Sequence, residues 1–294
     1  MVDFESVDPR SVDWAQVAES AYLVQQRVRY EYPAPISDLH QQLVVLPPRT
    51  HGDQRRLAFL VEVSNAEHRL STRRDAFGNL VVDITVPRVE EAIEFEARTV
   101  VERRAGGGPN RVRGGLLQDR RLIDPSPLTM PDDALRVAAA GLLDGGKEPH
   151  HLAARIGSWV HQAMTYERGV TSVGTTAAEA LHLGRGVCQD YAHVMIAICR
   201  LCGIPARYVS GHLLGEGAMH AWVEVILPAG AGDGIAWPFD PTHNRPASMS
   251  YITVAVGRDF SDVSPTRGTF RAPASGSLSS DRRVSLTALQ LRLI

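Results

Sequence analysis

Cysteine is scarce in this chain, with three in 294 residues. A small, odd number excludes a disulfide framework and fits a compartment that keeps thiols reduced, so a cytoplasmic protein is expected. Charge of one sign is also missing: 31 Lys and Arg stand against 33 Asp and Glu, a formal net charge of −2. That excludes the concentrated basic surface that grips nucleic acid. Long hydrophobic runs are absent too. The opening MVDFESVDPRSVDWAQVAES is polar and acidic rather than the basic start and apolar run of a secretory signal. No stretch approaches the ~20 apolar residues of a membrane span, so no membrane partner is expected. What is present is ordinary for a globular protein: 44% hydrophobic and 22% charged residues, in a length that suits one large or two ordinary domains.

The first hundred residues carry the period of strands. In AYLVQQRVRYEY the apolar Tyr22, Val24, Val28, Tyr30 and Tyr32 alternate with Gln25, Arg27, Arg29 and Glu31. Leu57, Phe59, Val61 and Val63 repeat the pattern, as do Ile93, Phe95, Ala97 and Val101 against Glu94, Glu96 and Arg98. Gly78-Asn79 marks a turn between strands. Short alternating strands at this spacing predict an antiparallel β-sandwich over 18–104. A Gly-, Pro- and Arg-rich stretch without sustained period follows and reads as a linker, 105–130. Helical spacing then appears at Leu152, Ile156, Trp159, Val160 and Ala163, and Thr176-Ala-Ala-Glu179 is a capping box. An apolar helix runs from about Cys188 to Cys202 and stops at Gly203, with Pro205 beyond. RYVSGHLL, HAWVEVIL and IAWPFD read as strands. Helices first and sheet after make 131–271 an α+β domain, with 272–294 a C-terminal tail.

Within that second domain, Cys188 stands at the first turn of its helix, where free amides and the helix dipole favour an anion, as an attacking sulfur requires. Cys199 and Cys202 lie deeper along the helix among Met195, Ile196, Ile198 and Leu201, and read as buried filler. Cys199-x-x-Cys202 looks like half a zinc site, but the chain has no second pair, and no metal is expected. A nucleophilic cysteine needs a base and a group to orient it. His220 opens the strand HAWVEV, and Asp240 closes a strand before Pro241. Neighbouring antiparallel strands would bring the two together beside Cys188. Each residue alone also has a plain reading, as a packed histidine or an aspartate starting a turn.

GRGVCQDYAHVMIAICRLCGIPARYVSGHL, then HAWVEV, then FDPTHN, resembles the transglutaminase-like superfamily, a circularly rearranged relative of the papain fold. The resemblance assigns Cys188 as nucleophile, His220 as general base and Asp240 as orienting acid. RYEYPAPISDLHQQLVVLPPRT and the later FGN are similar to the β-rich N-terminal region of bacterial members. YITVAVGRDFSDVSPTRGTFR is similar to their end, so the likeness runs from about Tyr22 to Arg271. It implies a sandwich followed by a papain-like core of helices packed on an antiparallel sheet. It also implies acyl transfer from a protein or peptide amide without a cofactor. Hydrolysis leads, because nothing spells a dedicated amine site or a calcium loop. Cross-linking of glutamine to amines and a non-catalytic peptide-binding module are the alternatives. Other residues have expected places. His193 points away from Cys188 and serves structure, while Asp190 and Tyr191 line the cleft or fix the helix start. His243, where relatives often carry Asn, touches substrate or faces water. The Cys188 amide is the first oxyanion donor, with Trp159 or Tyr166 as the second.

Overall fold

The computed structural model describes residues 8–292 except 65, 107–109, 147, 231, 273 and 274. In chain order the elements begin with seven strands: β1 (Val17–Glu31), β2 (Ile36–Leu46), β3 (Thr50–His51), β4 (Gln54–Val63), β5 (Arg69–Arg74), β6 (Leu80–Val89) and β7 (Ala92–Arg104). Next come β8 (Asn110–Val112), α1 (Arg120–Ile123), α2 (Asp133–Leu143), α3 (Pro149–Ala163), β9 (Thr165–Tyr166), α4 (Ala177–Leu183), β10 (Arg185–Gly186) and α5 (Cys188–Leu201). The chain ends with β11 (Ala206–Leu213), β12 (Met219–Pro228), β13 (Gly234–Asp240), β14 (Arg245–Pro246), β15 (Tyr251–Gly257), α6 (Phe260–Val263), β16 (Thr266–Arg271) and β17 (Ser277–Leu291).

Two antiparallel sheets form the N-terminal sandwich, in the orders β17-β1-β7-β4-β3 and β16-β2-β6-β5. Between them Ile36, Leu39 and Leu43 of β2 and Ile84 and Val86 of β6 meet Ile93 and Phe95 of β7. The predicted alternation holds in β1 and β7 but fails in the first half of β4. There Leu57 and Phe59 are 50% and 45% exposed. The pairing of β4 with β7 slips between Arg56 and Ala58, a bulge that turns these side chains off the interior face. The Arg56 guanidinium lies over the Phe59 ring, 4.5 Å from its centroid.

The second sheet system has the order β14-β13-β12-β11-β15, with β8 beside β14 on the same edge of β13. α5 packs on β11 and β12 and is flanked by α2, α3 and α4. Every residue from Gln189 to Arg200 is buried, which explains why its sequence is apolar nearly all round rather than amphipathic. The α+β class and the sandwich-plus-core arrangement are therefore as the sequence predicts.

Segments with weak periodicity are held by polar side chains. In the stretch read as a linker, the buried Arg200 guanidinium donates to Leu122 O (3.1 Å), Thr129 Oγ1 (2.7 Å) and Ser126 Oγ (3.3 Å). The stretch read as a tail carries β17, which pairs with β1 from Val17 to Glu31. An apolar cluster of Tyr22, Val24, Val101, Ile252 and Leu286 joins sandwich to core. Here two carboxamides cover the edge strand β15. Gln54 donates to Thr253 O and accepts from Thr253 N–H, both at 2.8 Å. Asn79 does the same at Val256, at 2.8 and 2.9 Å.

Candidate active site

The start of α5 is built in three steps. Gly184, in the left-handed region at φ +63°, ends α4 and accommodates the reversal that other residues resist. β10 then runs parallel to β9, pairing Gly186 with Tyr166. A side chain at Gly186 would run into Asp190, whose carboxylate accepts from the Val187 N–H (2.7 Å) and the Thr171 hydroxyl (2.7 Å). Asp190 thus fixes the helix start. Cys188 is left as its first residue, half-buried, with a backbone N–H in the turn where helix amides lack intrahelical partners.

His220, near the start of β12, and Asp240, at the end of β13, come from adjacent antiparallel strands. Both side chains are buried, and His220 Nε2 lies 2.7 Å from Asp240 Oδ2. With Nε2 held on Asp240, Nδ1 is the ring nitrogen left for another partner. Burial opposes a charge on His220, yet the hydrogen bonds to Asp240 and Cys188 outweigh it, and its pKa is pushed up to about 10. Burial works against the Asp240 carboxylate too. The hydrogen bonds from His220 and His243 nevertheless hold it well below the usual carboxylate range.

Asp240 carries more than its one predicted partner, His220. Its Oδ2 also accepts from His243 Nδ1 (2.8 Å) and the Tyr251 hydroxyl (2.8 Å). Oδ1 accepts from the Thr242 and His243 backbone N–H groups at 2.9 and 3.2 Å, an Asx-type turn. His243 therefore neither faces water alone nor stands apart from the triad, and its pKa is pushed up to about 9 by the bonds to Asp240 and Glu216. Glu216, in the β11–β12 loop, closes a ring: Oε1 is 3.3 Å from His243 Nε2 and Oε2 is 3.5 Å from His220 Nδ1. Its own pKa is lowered, chiefly by the hydrogen bond from His243. The sequence signals for these two were local. Glu216 stands four residues before His220, and Asp-Pro is a turn opener that folds the next residues back over its carboxylate.

The remaining expectations fall on both sides. Cys199 is fully buried and its thiol is pushed up by desolvation, whereas Cys202 is half-buried at the far end of α5. His193 is buried and lowered to about 4 by desolvation, so its neutral Nε2 accepts from the Phe260 N–H (3.2 Å). Trp159 faces an apolar groove with Val137, Leu142 and Leu181, away from the triad. Of the two donor candidates, Tyr166 is the one next to the Cys188 turn, through its strand pairing with Gly186. Among the described residues, two groups have ligand atoms close enough to share a cation: Glu148, His150 and His151, and His220, Asp240 and His243. In the second group these atoms already bond one another, and Glu148 already caps α3 through the His150 and His151 N–H groups. No described helix is long and apolar enough to cross a membrane.

A cysteine at the start of a buried helix, packed on an antiparallel sheet that carries the histidine and aspartate, is a papain-like α+β architecture. Residues 136–241 match the core of the transglutaminase-like superfamily, and residues 22–102 match the bacterial transglutaminase-like N-terminal region. An uncharacterized protein of Mycobacterium leprae is 32% identical over 279 residues, covering 88% of this chain and 95% of its own. One from Mycobacterium tuberculosis is 28% identical over 289 residues, covering 87% and 90%. Among solved structures, a candidate cysteine protease of Cytophaga hutchinsonii superposes with a TM-score of 0.71 over 93% of each chain, at 20% identity. The chain belongs to the transglutaminase-like superfamily.

Proposed function

We propose that the protein is a thiol-dependent amide or peptide hydrolase. The Cys188 sulfur attacks the amide carbonyl carbon, and the developing oxyanion is met by the Cys188 backbone N–H. The His220 imidazolium gives its proton to the amine nitrogen as the C–N bond breaks, leaving a thioester on Cys188. Water, losing a proton to His220, then adds to the thioester and expels the thiolate, which releases the acid. Asp240 holds the ring and stabilises its charged form without taking the proton. One observation carries this reading: His220 Nε2 is locked on Asp240 at 2.7 Å, which orients the imidazole and leaves its Nδ1 for the proton transfers.

Cross-linking shares the thioester and differs only in the second acceptor, an amine in place of water. Hydrolysis is favoured because Cys188 is only half-buried, and Glu216 and His243, which ring His220 and Asp240, are 35% and 34% exposed. A transferase must keep water from the thioester. The substrate is a protein or peptide, and the cytoplasm is the compartment that would keep Cys188 reduced. The test supplies a glutamine-containing peptide with and without a primary amine and weighs the products. Free acid should dominate at modest amine concentration. A dominant amine adduct would make the protein a cross-linking enzyme, and Cys188→Ala should abolish either product.

A further inference from the structure

Glu216 and His243 also form one wall of a cavity of about 410 Å³, closed elsewhere by Arg10, Trp14, Leu214 and Arg245. That volume is within the ~300–1,000 Å³ of small-ligand sites and takes an amino acid or a dipeptide. The segment ahead of β1 supplies one side. Arg10 Nη2 donates to Gly215 O (3.2 Å), and the Trp14 indole N–H donates to Pro9 O (3.0 Å). Arg245 pairs with Asp240 in the β13–β14 ladder, so the strand end that places Asp240 also places this guanidinium. Its Nε donates to the Tyr251 hydroxyl (3.2 Å).

The charges in this cavity do not balance. His243 is met by Asp240 at 2.8 Å and by Glu216 at 3.3 Å, which leaves the Arg10 and Arg245 guanidiniums without a carboxylate, since Glu216 is the one carboxylate among the lining residues. Both Glu216 oxygens already face imidazole nitrogens. The nearby Asp8 carboxylate is occupied by the Arg10 backbone N–H. Neither Arg10 nor Arg245 forms an ion pair among the described residues. Two guanidinium forks with unfilled donors match the planar, bidentate geometry of a carboxylate. The location gives the side of the scissile bond. In the hydrolytic mechanism above, on which this inference rests, the leaving amine takes its proton from His220 Nδ1. Glu216, on the cavity wall, has its Oε2 3.5 Å from His220 Nδ1, so the cavity borders the imidazole from which the leaving amine takes its proton.

We propose that this cavity is the subsite for the amine half of the scissile amide and that it binds a carboxylate there. The carboxylate is either the terminal group of a last residue or an acidic side chain. The measurement is protection of Cys188 in the full-length protein against iodoacetamide. The probes are Ala-Gln amide, with no carboxylate, Ala-Gln acid, with a terminal one, and Ala-Glu amide, with a side-chain one. A carboxylated probe should protect at about tenfold lower concentration than Ala-Gln amide, the worth of one charge-assisted contact, and the stronger acid names the source. Arg245→Ala and Arg10→Ala should each remove most of that advantage, and Arg245→Glu should shift protection toward Ala-Lys amide. Arg10, on an exposed segment, keeps the test open if Arg245→Ala fails to fold. Equal protection by all three probes, no protection by any, or an advantage unchanged in both arginine variants overturns the proposal. Turnover reports separately. Carboxylate-selective protection without cleavage of any amide keeps the subsite and removes the hydrolase reading, whereas cleavage indifferent to a carboxylate on the amine half does the reverse.

Discussion

Asp240 is the most heavily shared group in the site, accepting from two imidazoles, a phenol and two backbone amides. Asp240→Asn keeps the volume but replaces two acceptor oxygens by one and puts a donor against donors. Its kcat should fall about 10³- to 10⁴-fold while the fold survives, and a variant with full activity would remove Asp240 from its role. His243 makes a prediction of opposite pH sense. Its pKa rises from 6.5 to about 9 on folding, so the stability it adds is complete below 6.5 and is lost as pH climbs through 9. Thermal melts from about pH 6 to about pH 10 should show the advantage of the wild type over His243→Asn shrinking with pH. A constant gap would mean that the imidazole acts through shape alone. Thiol chemistry separates the three cysteines. Iodoacetamide at limiting dose should label Cys188 ahead of Cys202 and leave Cys199 untouched, because Cys199 is fully enclosed. Peptide mapping that finds Cys199 or Cys202 labelled first would move the reactive sulfur elsewhere.

At the scale of elements, the close approach of α3 to β13 sets where Asp240 sits. Gly157 lies against the Phe239 ring, the residue before Asp240, with no room for a Cβ. Gly157→Ala should lift the helix off the sheet, cost about 1–3 kcal/mol in urea unfolding and lower kcat together. An unchanged midpoint would show that α3 moves freely. These are also the elements the sequence made legible. The Thr176–Glu179 capping box, the buried periodicity of α3 and the strands HAWVEVIL and IAWPFD are local signals, and each element forms where its signal lies. What was not legible depends on distant partners. The pairing of β17 with β1 joins Val17 to Leu291 and Glu31 to Ser277, near the two ends of the chain, and its residues from Ser277 to Arg283 are mostly exposed and polar, with little alternation to read. Leu57 and Phe59 alternate correctly yet face out, because a bulge is a property of the pair rather than of one strand. His243 lies on Asp240 because the turn over the Asp240 carboxylate brings residue 243 back to it, a placement that the residue type alone does not announce.

On the scale of the whole molecule, sandwich and core are joined by polar grips as well as apolar surface. The Tyr22 hydroxyl donates to Met249 O (2.7 Å), and Arg103 donates to Ser248 O (2.6 Å) and to Tyr251 O, just ahead of and within β15. Gln54→Ala would strand a buried N–H and C=O at Thr253 and should cost about 2 kcal/mol. Equilibrium unfolding checks it, and a value near zero would mean that water replaces the amide. The carboxamides of Gln54 and Asn79 each offer β15 one donor and one acceptor, as the peptide groups of a further strand would. In effect the sheet ends on borrowed pieces of strand that are encoded some two hundred residues upstream. A catalytic half recombined onto a foreign partner would arrive with that border open, ready to pair with its own kind. The two halves are thus a single unit of inheritance, and transplanting the Cys-His-Asp chemistry into another scaffold would require Gln54 and Asn79, or their equivalents, to travel with it.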